Sequence, residues 1–282
     1  MPDLRDNVVL ITGGAGGIGL ALAREAAARG ARIALADISL DEARSAAASI
    51  GSQATAYHCD VTDRESLAAL AGQIRQDLGS LNLVFANAGV AIGGRLHMTA
   101  ASDFDWLVDV NIRGTFNTVQ AFVPALTATA RDGGPAKLVF TGSENSVGLP
   151  STGEMTAYTA TKHAILAFAD GCRRDLRDAG VEVAIFCPGL VATRLYDSRR
   201  SRQDRYGGAS PLAGEVVQKM EAMMSEQGQD PADTARLCLD GLARGEFLII
   251  TDPKIRAFAA TRHAEVEEAL DRLDALNAAR PA

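Results

Sequence analysis

Short apolar or β-branched runs alternate with Ala-rich amphipathic stretches from the first residues of the chain. Residues 8–11, 32–36, 54–58, 81–85, 137–140 and 181–186 read as strands, and 247–250 offers a seventh. Between them the spacing predicts helices over about 17–29, 41–49, 63–78, 102–130 and 156–179. Near-continuously apolar strands are buried on both faces, which a parallel sheet covered by helices on each side provides. Right-handed crossovers then wind that sheet twice. The expected fold is α/β: a single-domain, doubly wound Rossmann fold with a parallel sheet of about seven strands and helices on both faces.

No Pro/Gly/Ser-rich linker and no solenoid-length repeat interrupts the alternation, so one domain is expected over 1–282. Residues 192–211 form the irregular exception, arginine-rich and without clear periodicity. Beyond Pro253, residues 253–282 read as a last charged, Ala-rich helix and a frayed tail.

Composition narrows the function. The 282 residues are 47% hydrophobic and 22% charged, which excludes disorder, fibre and coiled coil and leaves ample material for a core. With 28 basic against 35 acidic residues the net charge is −7, unfavourable for binding nucleic acid. Cys59, Cys172, Cys187 and Cys238 lie far apart without metal-ligand spacing, and read as free thiols with no metal site. The start lacks a basic segment and an apolar signal core, and no run of ~18 apolar residues offers a membrane span. A cytoplasmic protein is expected.

Directly after the first strand stands Thr12-Gly13-Gly14-Ala15-Gly16-Gly17-Ile18-Gly19, opening the first helix. Glycines there permit a tight turn and close approach of a pyrophosphate to a helix N-terminus. The spacing reads as GxGxxG through Gly14, Gly16 and Gly19, or as TGxxxGxG through Gly13, Gly17 and Gly19. Asp37 ends the second strand, roughly 20 residues past the loop, where an acid hydrogen-bonds an adenosine ribose. A carboxylate there repels a 2′-phosphate and favours NAD over NADP, unless Asp37 merely caps the next helix.

Tyr158 and Lys162 are four apart at the start of a predicted helix, on one face. A free tyrosine titrates near ~10. A neighbouring ammonium favours the phenolate, so Lys162 is expected to lower Tyr158 into the range of a general acid–base for carbonyl–alcohol chemistry.

With these motifs together, the chain resembles the short-chain dehydrogenase/reductase family, over about 7–193 and more loosely beyond. The resemblance selects Gly13, Gly17 and Gly19, with Ile18 between them, as the cofactor loop. It implies that Asp60 and Val61 contact the adenine and that Asn87, Ala88 and Gly89 line the cofactor cleft. It further implies that Asn111 holds a relay water, and that Pro188, Gly189 and Thr193 border the nicotinamide. Tyr158 and Lys162 match YxxxK. The family's serine pair is replaced by Thr141-Gly142-Ser143-Glu144-Asn145-Ser146. Ser143 fits the slot counted from the strand end, with a gap to Tyr158 a little wide that an enlarged 148–154 loop absorbs; Ser146 is the alternative.

What the resemblance implies is an NAD-dependent oxidoreductase interconverting a secondary alcohol and a ketone. Tyr158 moves the proton, Ser143 bonds the substrate oxygen, Lys162 binds the nicotinamide ribose, and the enzyme is a homodimer or homotetramer through 102–130 and 156–179. Residues 192–211 are expected to form a substrate lid. Its Arg194, Arg199, Arg200, Arg202 and Arg205 either recognise an anionic substrate or belong to a solvated lid. Val90, Ala91, Ile92, Leu149, Met155, Leu190 and Leu195 are expected to make an apolar pocket for a bulky aromatic or alicyclic alcohol. The lid and the 248–253 segment also look similar to members acting on lignin-type alcohols. The competing readings are a non-catalytic dinucleotide sensor, which has no need of Tyr158 and Lys162, and an epimerase or dehydratase, which usually carries a larger C-terminal domain.

Overall fold

In the computed structural model, which describes residues 4–149 and 154–279, strands and helices alternate along the chain. The order is β1 (Val8–Thr12), α1 (Gly17–Ala28), β2 (Arg32–Asp37), α2 (Leu40–Ile50), β3 (Ala54–His58), α3 (Arg64–Leu78) and β4 (Leu83–Ala86). Then come α4 (Ala101–Val108), α5 (Gly114–Arg131), β5 (Lys137–Thr141), α6 (Thr156–Asp175) and β6 (Glu182–Cys187). The chain continues through α7 (Gly214–Gln227), α8 (Pro231–Ala243), β7 (Leu248–Ile250) and α9 (Ile255–Ala278). All seven strands join one sheet in the order β3-β2-β1-β4-β5-β6-β7, and every pairing is parallel.

The period-2 geometry of a strand explains the two cores. Val8 and Leu10 point to one face, where they meet α3 through Leu67, Leu70 and Ile74, and α4–α6 through Trp106, Phe122 and Ile165. Val9 and Ile11 point to the other, against Leu22 of α1, Ala46 of α2, and Cys238 and Leu239 of α8. The strand order reverses between β1 and β4, so the loops after these strands diverge and open a crevice at their carboxyl ends.

The single helix expected over 102–130 is divided. A π-helical turn, Asp109–Arg113, joins α4 to α5 and carries Asn111. Such turns shift the side-chain register within a helical path. Two helices, α7 and α8, lie where the hydrophobic pattern was left unassigned. The signal for α8 was present: Asp230 accepts the Ala232 N–H at 2.6 Å, Pro231 occupies the first turn, and Ala235, Cys238, Leu239 and Leu242 form its buried face. Residues 194–206 form two short 3-10 segments, Arg194–Ser201 and Asp204–Tyr206. Residues 150–153 of the loop invoked for the serine spacing lie outside the described residues.

Among the described residues no helix is long and apolar enough to cross a membrane, and no cluster of metal-ligating side chains occurs.

Candidate functional site

The crevice is a cleft of about 1730 Å³ lined by the β1–α1 turn, the ends of β2–β6, and residues from 188 to 232. Gly13 and Gly17 take φ of +64° and +54°, which β-carbon sterics disfavour in other residues. A Cβ on Gly19 would fall 2.2 Å from the Gly13 carbonyl oxygen and 2.8 Å from Asn87 Nδ2. Gly16 has open space around it. The conformation therefore requires Gly13, Gly17 and Gly19, the TGxxxGxG spacing. No side chain caps the start of α1, so its first N–H groups face the cleft with the positive end of the helix dipole.

Thr12 and Asn87 bind this turn to the next strand. Thr12 Oγ1 donates to the Phe85 carbonyl (3.2 Å) and accepts the N–H groups of Asn87 (3.0 Å) and Ala88 (3.1 Å). Asn87 Nδ2 donates to Thr12 O (2.9 Å) and Gly13 O (3.2 Å), and its Oδ1 accepts from Thr141 (3.2 Å). The ends of β1, β4 and β5 are thus fixed by one side-chain network.

Asp37 lines the cleft and accepts the Ala15 N–H at 3.1 Å, joining the glycine turn to β2. It also accepts the Ser39 N–H at 3.1 Å, but the next helix is capped by Ser39, not by Asp37. Burial pushes its carboxyl above the ordinary value, against the backbone hydrogen bonds. Asp60, beside Val61 in the cleft wall, is also pushed up by burial. Thr62 Oγ1 and N, then Gln203 and Arg205, outweigh this and hold it below the ordinary value.

The chemistry-bearing residues gather at the β5–α6 side. Lys162 is 6% exposed, and its Nζ donates to Thr141 O at 2.9 Å. Burial lowers it to about 8. Tyr158 is buried, with Lys162 Nζ 5.6 Å from its ring centre. The expected lowering of Tyr158 is not what this environment produces. Burial pushes the phenol up to about 12, opposed by a hydrogen bond from Ser143 and reinforced by Glu144 and Cys187. Loss of hydration dominates the phenol, and Ser143 supplies the opposing influence.

The two serines have different surroundings. Ser143 Oγ lines the cleft, hydrogen-bonds Tyr158 and accepts the Asn145 N–H at 3.2 Å. Ser146, 1% exposed, donates to Lys162 O at 2.8 Å and accepts the Ser143 N–H at 3.1 Å. Ser146 thus positions the loop against α6, and Ser143 meets the cleft. Asn111 Oδ1 accepts the Val90 N–H at 2.8 Å, while Nδ2 donates to Val90 O at 2.9 Å and Thr161 Oγ1 at 3.0 Å. A Cβ built on Gly89 lies 3.4 Å from Asn111 Oδ1 and 3.7 Å from Lys162 Nζ, so these two groups flank the same backbone. Pro188, Gly189 and Thr193 line the opposite edge, together with Gly17, Ile18 and Ala88.

Of the expected apolar lining, Val90, Ala91, Leu149, Met155, Leu190 and Leu195 face the cleft, but Ile92 is buried in the core. Three features escaped the sequence reading. Met220, Met223 and Met224 of α7 form a flexible apolar wall. Glu144, adjacent to Ser143, contributes a half-buried acid that burial and Asp252 push upward. Gln203 bridges Trp106 Nε1 at 2.9 Å and Asp60.

Four of the five arginines of 194–205 pair with carboxylates. Arg199 and Arg202 hold the two oxygens of Asp103 at 2.6 and 2.7 Å, Arg194 pairs with Asp197, and Arg205 pairs with Asp60. Arg200 donates to the carbonyls of Arg194 and Asp197. This arrangement ties the segment to α4 and to Asp60, and offers no cluster of unpaired cations for an anionic substrate.

The description "short chain dehydrogenase" fits a family model matching residues 7–204. The chain is 36% identical over 221 residues to a 1-deoxy-11-beta-hydroxypentalenate dehydrogenase of Streptomyces exfoliatus, covering 76% of this chain and 78% of that one. It is 28% identical over 260 residues to a C alpha-dehydrogenase of Sphingobium sp., covering 91% and 84%. A short chain dehydrogenase/reductase of Burkholderia phymatum, crystallised with NAD, superposes with a TM-score of 0.85 at 27% identity, over 95% of this chain and 97% of that one.

Proposed function

The chain belongs to the short-chain dehydrogenase/reductase family, and from that premise we propose that it is an NAD-dependent oxidoreductase interconverting a bulky apolar secondary alcohol and its ketone. One observation carries the reading: Ser143, Tyr158 and Lys162 meet at the inner wall of the same cleft that begins with the glycine turn and Asp37. A sensor needs the glycine turn and Asp37 but not Ser143, Tyr158 and Lys162.

The glycine turn fits a dinucleotide, because Gly13, Gly16 and Gly17 line the cleft without side chains and a Cβ position on Gly16 is open, and the uncapped α1 terminus suits a pyrophosphate. Asp37 is placed to accept from the ribose hydroxyls and to repel a 2′-phosphate. Asp60 and Val61 would hold the adenine, and Asn87, Ala88, Gly89, Pro188, Gly189 and Thr193 would hold the nicotinamide half, all of them lining the one cleft. Bound NAD supplies the two-electron acceptor or donor. Tyr158 Oη takes the hydroxyl proton in oxidation and returns it in reduction. Ser143 Oγ donates to the substrate oxygen where negative charge grows. Lys162, fixed by Thr141 O and 5.6 Å from the Tyr158 ring centre, would bind the cofactor ribose through its ammonium. Asn111 holds the Val90 backbone and α6 in register, a positioning role.

On the substrate side, residues 192–211 act as a lid, and the aliphatic and Met wall favours an apolar body. Glu144 and the paired arginines disfavour an anionic one. The test is NAD⁺ reduction against neutral aromatic, alicyclic and steroid alcohols and against carboxylated or phosphorylated ones, with NADP⁺ in parallel. The expected result is turnover of neutral bulky alcohols with NAD⁺. Tyr158→Phe is expected to lower kcat by at least ~10²-fold with the NAD⁺ Kd within a few-fold of the parent. Retention of most activity by that variant refutes the assignment.

A further inference from the structure

The last helix carries its apolar residues away from the core. Ile255 is 1% exposed, and Phe258 packs on Gly148, yet from residue 260 to residue 279 every position is exposed. At about 100° per residue, Ile255, Ala259, Val266, Leu270 and Leu273 share one face, with Phe258 and Leu276 at its edge. Val266, Leu270, Leu273 and Leu276 are 47, 49, 52 and 68% exposed. A buried anchor therefore continues into an uncovered stripe. Packing of such a face is what normally stabilises a helix in water.

The charges supply the second observation. Lys254, Arg256 and Arg262 stand at the start, and residues 255–264 contain no acid. Glu265, Glu267, Glu268, Asp271 and Asp274 follow, relieved only by Arg272. This order opposes the helix dipole, which favours acids first and bases last. The intrahelical pairs Arg262–Glu265 (2.8 Å), His263–Glu267 (3.7 Å) and Arg272–Glu268 (3.9 Å) are exposed and contribute little. A helix basic at one end and acidic at the other is complementary to itself when reversed. A two-fold axis supplies that reversal, each copy presenting the same patch. A surface of anionic lipid would instead meet the net-negative part of the helix.

We propose that α9 is a self-association helix. Two copies pair antiparallel about a two-fold axis, covering Val266, Leu270, Leu273 and Leu276, with Arg256, which shares a flank of the stripe with Asp274, facing the partner's Asp274. This surface is separate from α4–α6 and from the cleft, and it does not rest on the catalytic reading.

Sedimentation velocity of the full chain across micromolar concentrations tests it. Leu270→Asp with Leu273→Asp is expected to halve the mass while thermal unfolding and NAD⁺ binding stay unchanged. Arg256→Asp alone is expected to weaken association about tenfold, the effect of ~1.4 kcal/mol. Adding Asp274→Arg is expected to recover it, which separates pairing from misfolding. An unchanged mass in the leucine variant overturns the proposal, as does failure of the charge exchange to recover association. Flotation of the parent, but not the leucine variant, with phosphatidylcholine vesicles at unchanged mass also overturns it and assigns the stripe to lipid.

Discussion

Two methyl groups placed three residues apart in the glycine turn should have opposite effects. At Gly19 the added Cβ meets the Gly13 carbonyl oxygen at 2.2 Å and Asn87 Nδ2 at 2.8 Å, where ordinary contact begins near 3.4 Å. Relief needs a displacement of about 1 Å, and the obstacle is backbone. Gly13 cannot retreat easily, since it sits at φ +64° and its carbonyl is held by Asn87. Overpacking of this kind costs roughly 1–3 kcal/mol. At about 2–4 °C per kcal/mol for a chain of this order, Gly19→Ala is expected to lower Tm by ~2–12 °C. The same displacement moves the N–H groups of the α1 terminus, so NAD⁺ affinity is expected to fall at least ~tenfold, or ~1.4 kcal/mol. Gly16 has φ −156°, an extended value, and nothing within 4 Å of a built Cβ. Gly16→Ala is expected to raise Tm by ~1–3 °C through reduced freedom of the unfolded chain, with Kd within about threefold of the parent. Scanning calorimetry and titration calorimetry with NAD⁺ read both quantities. Parent-like NAD⁺ binding by Gly19→Ala, or greater damage from Gly16→Ala, refutes the steric argument.

Lys162 has a pH signature. It titrates near 8 in the folded protein against 10.5 in the unfolded chain, so between those values the unfolded state holds the extra proton and native stability rises with pH. The Tm difference, parent minus Lys162→Met, is therefore expected to grow from pH 7.5 to 9.5. A flat difference contradicts the burial of a charged lysine. Tyr158 acts in a higher window, above its ordinary 10, and leaves that range free. Asp103→Ala deprives Arg202, whose side chain is 9% exposed, and Arg199 of their shared carboxylate. Breaking a buried pair costs ~3–5 kcal/mol if the partner stays buried; a lid segment has the cheaper alternative of detaching. The expected outcome is a KM several-fold higher with kcat within about twofold. The chain's one tryptophan, Trp106, should red-shift as Gln203 and Arg202 leave it. Unchanged emission and KM would place the lid's anchorage elsewhere.

The parallel sheet was legible because its strands lack a polar face: Val8-Val9-Leu10-Ile11 feeds both cores, and two-sided burial admits few architectures. The glycine turn was legible because backbone conformation and close approach limit the residue type at Gly13, Gly17 and Gly19. Residues 214–227 were not, since α7 buries no residue fully and so lacks the strong apolar stripe that marks a helix. Its methionines face the cleft and leave only a weak pattern. The π turn at Asp109–Arg113 was equally hidden, because local composition does not distinguish one extra residue in a helical turn from a regular one.

Charge shows where a sequence reading stops. Counted along 194–206, five arginines outnumber two aspartates, which looks like a surplus of cation awaiting an anion. The acids that pair with three of them, Asp103 and Asp60, come from α4 and from just after β3, 96 to 145 residues away in the chain. Asp103 receives two guanidinium groups, so one carboxylate restrains two separate points of the segment. Asp60 receives Arg205 and Gln203 while lining the cleft. Three of the arginines thus fasten the segment to α4 and to Asp60, Arg194 pairs within it and Arg200 binds backbone carbonyls. It follows that weakening Asp60 or Asp103 should disturb substrate and cofactor binding together, whereas an anion-recognition site would lose only one class of substrate.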